Sequence, residues 1–218
     1  LDAYRSLAAE LADAASPAVA NATAAPTLQV ATSVIGDYEF ATFTFPGGAS
    51  PEEAIAARMN IVDGIFSAQV GVKVTVTLAT LFRDPADPFT AADAGNLLDE
   101  LRRYRAGSAD QLSRGVTHLF TGRDLTGDTV GIAFIGTLCG GSAAVSLSEG
   151  VRSTTTAALV AAHEIGHNFG APHDAETGSA CATTPATFLM APRLNGSTEF
   201  SACSLQQIAP VVSAARCL

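Results

Sequence analysis

Over Val70–Phe82 the apolar residues Val72, Val74, Val76 and Leu78 alternate with Lys73, Thr75 and Thr77. A period of two puts one side-chain set on each face of a pleated ribbon, so this stretch predicts a strand. Thr27–Gly36, Gly115–Thr121, Thr129–Ile135 and Ala143–Leu147 are short apolar, β-branched runs of the same kind. Elsewhere the spacing lengthens to that of a helix. Ser50-Pro51-Glu52-Glu53 joins an N-cap, a proline at the first helical position and a capping-box glutamate, opening a helix to about Gln69. Leu97, Leu98 and Leu101 share one face of a second helix over Ala91–Arg105, and Thr154–Asn168 and Leu205–Ala215 give two more. Pro210 should interrupt or shorten the last. Arg83–Pro88 and Gly122–Asp128 read as turns.

Strands separated by helices imply an α/β (α+β) fold with a mostly parallel sheet layered by helices. The strands before and after Cys139 are too close for a helical crossover, so one of them runs antiparallel at a sheet edge. An extended peptide can join such an edge through main-chain hydrogen bonds. Residues 1–26 stand apart: an alanine-rich helical pattern through Tyr4, Leu7, Ala8 and Leu11 leads into a linker-like stretch from Pro17 to Pro26. They are taken as an N-terminal segment preceding one domain over 27–218.

The chain has 218 residues, 48% of them hydrophobic, enough for one sizeable core. No apolar run reaches the roughly 18–20 residues of a membrane span. A net charge of −9 without basic clusters argues against nucleic acid and anionic membrane as partners. Cys139, Cys181, Cys203 and Cys217 form no C-x-x-C pair, which speaks against a cysteine-ligated zinc. Their even count reads as two disulfides in an oxidising compartment, with three connectivities open. No nucleophile elbow or phosphate-binding loop occurs.

The chemistry is concentrated in His163-Glu164-Ile165-Gly166-His167-Asn168-Phe169-Gly170-Ala171-Pro172-His173-Asp174. His163 and His167 are four apart, so a helix stacks both imidazoles on one face. Glu164 is rotated about 100° from His163, close enough to act on a water without ligating. Gly170 can adopt positive φ and end the helix, swinging His173 back as a third ligand. Three neutral imidazoles leave one tetrahedral position of a zinc ion open, as a catalytic site requires. Coincidence of all five fixed positions is expected on the order of a few times in a million chains of this length. His118 lies on a strand away from this motif and reads as structural.

His163–Asp174 resembles the zinc signature of the metzincin metallopeptidases. Asp174 directly after the third histidine is similar to the adamalysin (reprolysin) branch. Thr117–Gly122 resembles that branch's third strand, Gly131–Cys139 its edge strand and following cysteine, and Leu189-Met190-Ala191-Pro192 its Met-turn. The resemblance covers roughly Thr27 to Cys217. It implies a five-stranded sheet, an upper subdomain of about 27–170, a small irregular lower subdomain of about 171–218, and a substrate cleft between them. It implies the pairs Cys139–Cys217 and Cys181–Cys203, and supporting roles for Met190, Asp174 and Gly170. The family's calcium site is not clearly matched, because Gln29 stands near the place of its acidic residue; Asp124 and Asp128 could bind Ca2+ but read first as turn residues.

These readings converge on a secreted, monomeric zinc endopeptidase that binds one Zn2+. A protein or peptide substrate would lie along Gly131, Ile132, Ala133, Phe134 and Ile135, and Glu164 would serve as general base. The alternative is a non-catalytic binding domain retaining the same fold. Such domains commonly lose the glutamate or a histidine, and all four residues are present here. A zinc hydrolase of non-peptide amides is a third reading.

Overall fold

The computed structural model describes residues 28–218; the expected helix and linker of residues 1–26, and Thr27, lie outside them. Strands β1 (Leu28–Gly36), β2 (Val72–Leu81), β3 (Val116–Thr121), β4 (Gly131–Ala133) and β5 (Val145–Glu149) form one sheet ordered β2-β1-β3-β5-β4. The β1–β2, β1–β3 and β3–β5 pairs are parallel, and β4 runs antiparallel to β5 at the edge. The link from β4 to β5 holds a 3-10 turn at Gly141–Ala143 and no crossover helix, so β4 must return antiparallel.

Helices α1 (Tyr38–Ala41), α2 (Pro51–Gln69), α3 (Ala94–Ala106), α4 (Ala109–Leu112), α5 (Thr154–Asn168) and α6 (Ala202–Ala214), with a further 3-10 turn at Pro46–Gly48, complete the described elements. The strand period decides which helix meets which face. Val30, Val34, Val116 and Phe120 pack with Val62 and Phe66 of α2, Ile165 of α5 and Phe169 just after it. Ile35, Leu119, Val145 and Leu147 point the other way, onto Leu97, Leu98 and Leu101 of α3. Phe66 anchors the first layer, edge-on to Phe200 and tilted against Phe169 at ring separations of 5.4 and 4.8 Å. Ser50 and Glu53 make both halves of the capping box that starts α2. Two fully buried arginines brace the periphery through main-chain carbonyls. Arg58 reaches Ala54 and Gly150 beneath Phe45, and Arg105 reaches Gly141 and Arg114.

Several element boundaries differ from the sequence expectation. Strand β4 ends at Ala133, leaving Phe134 and Ile135 outside it. There the chain is drawn toward the end of α5: the Asn168 amide donates to the Phe134 carbonyl, and the Gly136 N–H donates to that of His167. The fifth strand begins at Val145, because the 3-10 turn occupies the preceding residues. The closing helix starts three residues earlier than expected, at Ala202, with the Ser201 hydroxyl accepting from the Ser204 N–H. Pro210 sits within it without breaking it; Pro210 and Gln206, whose carbonyl it deprives of a partner, are both exposed, so water can serve that oxygen. Disulfides join Cys139 to Cys217 and Cys181 to Cys203. Among the described residues no helix is long and apolar enough to cross a membrane.

Candidate metal centre

Helix α5 opens at Ser153, whose hydroxyl accepts from the Thr156 N–H, and is buried along most of its length against α2 and the sheet. It carries His163, Glu164 and His167. Phe169 caps it, and Gly170 follows at φ +101° with Val211 packed where a β-carbon would stand. Only glycine fits this combination of backbone angle and close approach. The turn brings His173 back over the helix.

All three imidazoles are fixed from behind. His163 Nδ1 lies 2.7 Å from the Leu189 carbonyl, His167 Nδ1 2.7 Å from the Ala171 carbonyl, and His173 Nδ1 2.8 Å from Glu176 Oε2. A carbonyl or a carboxylate can only accept, so each Nδ1 carries the proton, and the Nε2 of each ring in its neutral form presents a lone pair. His173 Nε2 is 3.1 Å from both His163 Nε2 and His167 Nε2. Acceptors facing one another without a donor repel unless a cation lies between them. Zinc bonded at about 2.0–2.1 Å in a tetrahedral frame would set its nitrogens roughly 3.3–3.4 Å apart, so the residues present fit this ion. Burial pushes the His163 ring down to about 4, despite the Leu189 carbonyl, and the His167 ring down to about 3, aided by its neighbouring imidazoles. Both are therefore neutral near pH 7, as ligation demands. Among the described residues these histidines form a group of donors close enough to share one ion. Asp124 and Asp128 lie exposed in their turn, and Gln29 is exposed on β1.

Glu164 is 5% exposed, its carboxyl group lying against the main chain of β4. Burial raises its pKa well above the ordinary carboxylate value; a cation at the three imidazoles would pull it back. Gly131 makes this placement possible, because a β-carbon there would stand 2.6 Å from Glu164 Oε1. The residues expected to support the site lie close by. Met190 is fully buried beneath α5, its sulfur 2.9 Å from where a Gly166 β-carbon would stand. The Asp174 N–H donates to the Met190 carbonyl, and the Asp174 carboxylate accepts from Ser201 and Ser204 at the start of α6. His118 is elsewhere, fully buried between β3 and β5 with its ring nitrogens 2.9 and 3.0 Å from Ser146 and Ser148.

A cleft runs past the imidazoles with β4 on one side. On one flank of Glu164 is a cavity of about 280 Å³ bordered by Val130, Val160, Leu189, Ala191 and Leu194. On the other is a wider groove of about 610 Å³ between Ile132 and Ile135 above and Pro172, Glu176 and Gly178 below. Phe134 and Ile135, expected within the edge strand, continue past its end, and Ile135 borders this groove at 57% exposure. Three features were not anticipated from the sequence: the carbonyls of Leu189 and Ala171, Glu176 behind His173, and the steric role of Gly131. Only the last left a signal, a glycine inside a strand pattern, which marks close approach by another group.

The profile of the reprolysin type described as metallo-peptidase family M12 matches residues 27–201. The chain is 36% identical over 112 residues to the zinc metalloproteinase-disintegrin-like atrase-A of Naja atra, covering 50% of this chain and 18% of that protein. It is 38% identical over 81 residues to human disintegrin and metalloproteinase domain-containing protein 9, covering 37% and 10%. It is 32% identical over 90 residues to the zinc metalloproteinase-disintegrin-like BmMP of Bungarus multicinctus, covering 41% and 14%. The matched stretch thus spans less than a fifth of the length of each of these relatives.

Proposed function

The chain belongs to metallo-peptidase family M12, in its reprolysin group, and from that premise we propose that it is an active zinc endopeptidase. One observation carries the proposal: three Nε2 lone pairs converge beside a buried carboxyl group at the floor of an open cleft. Zinc, when bound there by His163, His167 and His173, supplies a Lewis acid for hydrolysis. The chain's own residues do the rest. Strand β4 pairs with β5 on one side only, so its other main-chain edge can hold an extended peptide in the cleft. Apolar Val130, Val160 and Leu194 border the cavity where a substrate side chain enters. Glu164 takes a proton from the attacking water and delivers it to the leaving amine nitrogen. Its low exposure keeps bulk water from that proton.

The cleft would separate an upper subdomain, about 27–170, from a lower one, about 171–218. Two disulfides favour an extracellular setting, and the protein would act as a monomer on proteins or peptides. Cleavage of an unfolded protein, with and without a chelator, tests the reading. Glu164→Ala should retain zinc and lose 10²–10⁴-fold in turnover. Cleavage at the parent rate by this variant, or no cleavage by the zinc-loaded parent, rejects it.

A further inference from the structure

The three imidazoles are not held alike. His163 and His167 lean on main-chain carbonyls, which belong to the fold and carry no net charge. His173 leans on a carboxylate, Glu176 Oε2 at 2.8 Å. We propose that Glu176 is a positioning residue of the metal centre, a charged partner that fixes His173 and strengthens its hold on the ion; this rests on the zinc site proposed above.

The local chain is arranged to deliver that carboxylate. Ala175 is a non-glycine residue at φ +59°, a left-handed conformation that alanine adopts only under constraint. It reverses the backbone directly after Asp174, so that Glu176 returns to the ring three residues before it. The constraint is visible. The Ala175 N–H donates to the Cys181 carbonyl at 3.1 Å, and the Ser179 N–H to the Glu176 carbonyl at 3.0 Å. The Ser179 hydroxyl donates to the His173 carbonyl, and Asp174 bridges to Cys181, which the disulfide ties to Cys203 on α6. The loop is therefore closed on itself at the residue next to the third ligand. A strained residue kept in place by surrounding contacts often marks a working site.

The chemistry follows from the pairing. A carboxylate accepting the Nδ1 proton locks the tautomer in which Nε2 is free for a cation. It also pushes electron density through the ring, making Nε2 a stronger donor. Among the described residues no lysine or arginine pairs with Glu176; its ion-pair contact is His173 itself. Of the three acceptors behind the ligands it is the one side chain, hence the one that substitution can remove.

The test measures zinc affinity on the full chain by competition with a chromophoric chelator, for the parent, Glu176→Ala and the near-isosteric Glu176→Gln. The visible absorption of the cobalt-substituted proteins reports ligand geometry alongside. The expected result is zinc binding weakened about 10- to 100-fold in Glu176→Ala, less in Glu176→Gln, which keeps an acceptor without its charge. The cobalt bands should shift, while the thermal midpoint of the metal-free protein stays put. Zinc affinity within twofold of the parent in both variants overturns the inference. Should Glu176→Ala fail to fold, Glu176→Gln decides alone. A parent that binds no zinc refutes the metal site itself, a distinct outcome.

Discussion

Gly131→Ala separates catalysis from stability with a single methyl group. The new β-carbon would stand 2.6 Å from Glu164 Oε1, 2.8 Å from Cγ and 2.9 Å from Cδ. Ordinary contact needs about 3.5 Å or more, so the carboxyl group must retreat by roughly 1 Å. The atoms in the way belong mostly to the mobile end of a side chain, so relief is cheap for the fold, of order 1 kcal/mol and at the low end of overpacking costs. It is not cheap for the reaction. A displacement of about 1 Å in a group that must meet both the water and the leaving nitrogen can cost about 10²-fold. Gly131→Ala should therefore bind zinc like the parent and unfold within a few degrees of it, yet cleave a fluorogenic peptide about 10²-fold more slowly, mainly in kcat. Gly64→Ala on α2, where an added β-carbon meets nothing within 4 Å, serves as the control and should leave kcat unchanged. Gly131→Ala with kcat within threefold of the parent would show that Glu164 does not need its observed position.

Other variants probe the frame around the site. Burial holds the His118 ring at about 3, below its ordinary 6.5, so the unfolded chain binds the extra proton and stability falls as pH drops below 6.5. At about 1.4 kcal/mol per pH unit, His118→Gln should lessen the loss between pH 6.5 and 5 by up to about 2 kcal/mol; parallel urea-unfolding curves for the two proteins in chelator would contradict this. Removing the 22-residue link with Cys181→Ser and Cys203→Ser together should cost about 3 kcal/mol by thermal unfolding. It should also weaken zinc binding, because the loop carrying Glu176 loses its anchor; an unchanged zinc affinity would dissociate the two.

What was legible in the sequence was what repeats or is locally encoded. Alternation over Val72–Leu78 and the Ser50–Glu53 capping box located β2 and the start of α2, since each signal lies within a few residues. The motif histidines were legible because helix geometry dictates that residues four apart share a face. Tyr38–Ala41 and Ala109–Leu112 escaped notice, for one helical turn shows no period. Ser146 and Ser148 occupy the polar half of an alternating strand, yet they are buried, because His118 across the sheet satisfies their hydroxyls. Glu176 was invisible for a different reason. Its contact with His173 depends on the backbone reversal at Ala175, and nothing in Asp174-Ala175-Glu176 announces a left-handed alanine. Pro210 misled because its cost depends on whether the orphaned carbonyl meets water.

The proposed hydrolysis requires one divalent ion held by His163, His167 and His173. Metal analysis of the zinc-loaded, dialysed protein tests this most directly, run beside His167→Ala. One zinc per chain in the parent and less than about a tenth in the variant is the predicted outcome, since removing one of three ligands leaves too few to retain the ion. A parent without zinc, or a variant retaining as much as the parent, would contradict it.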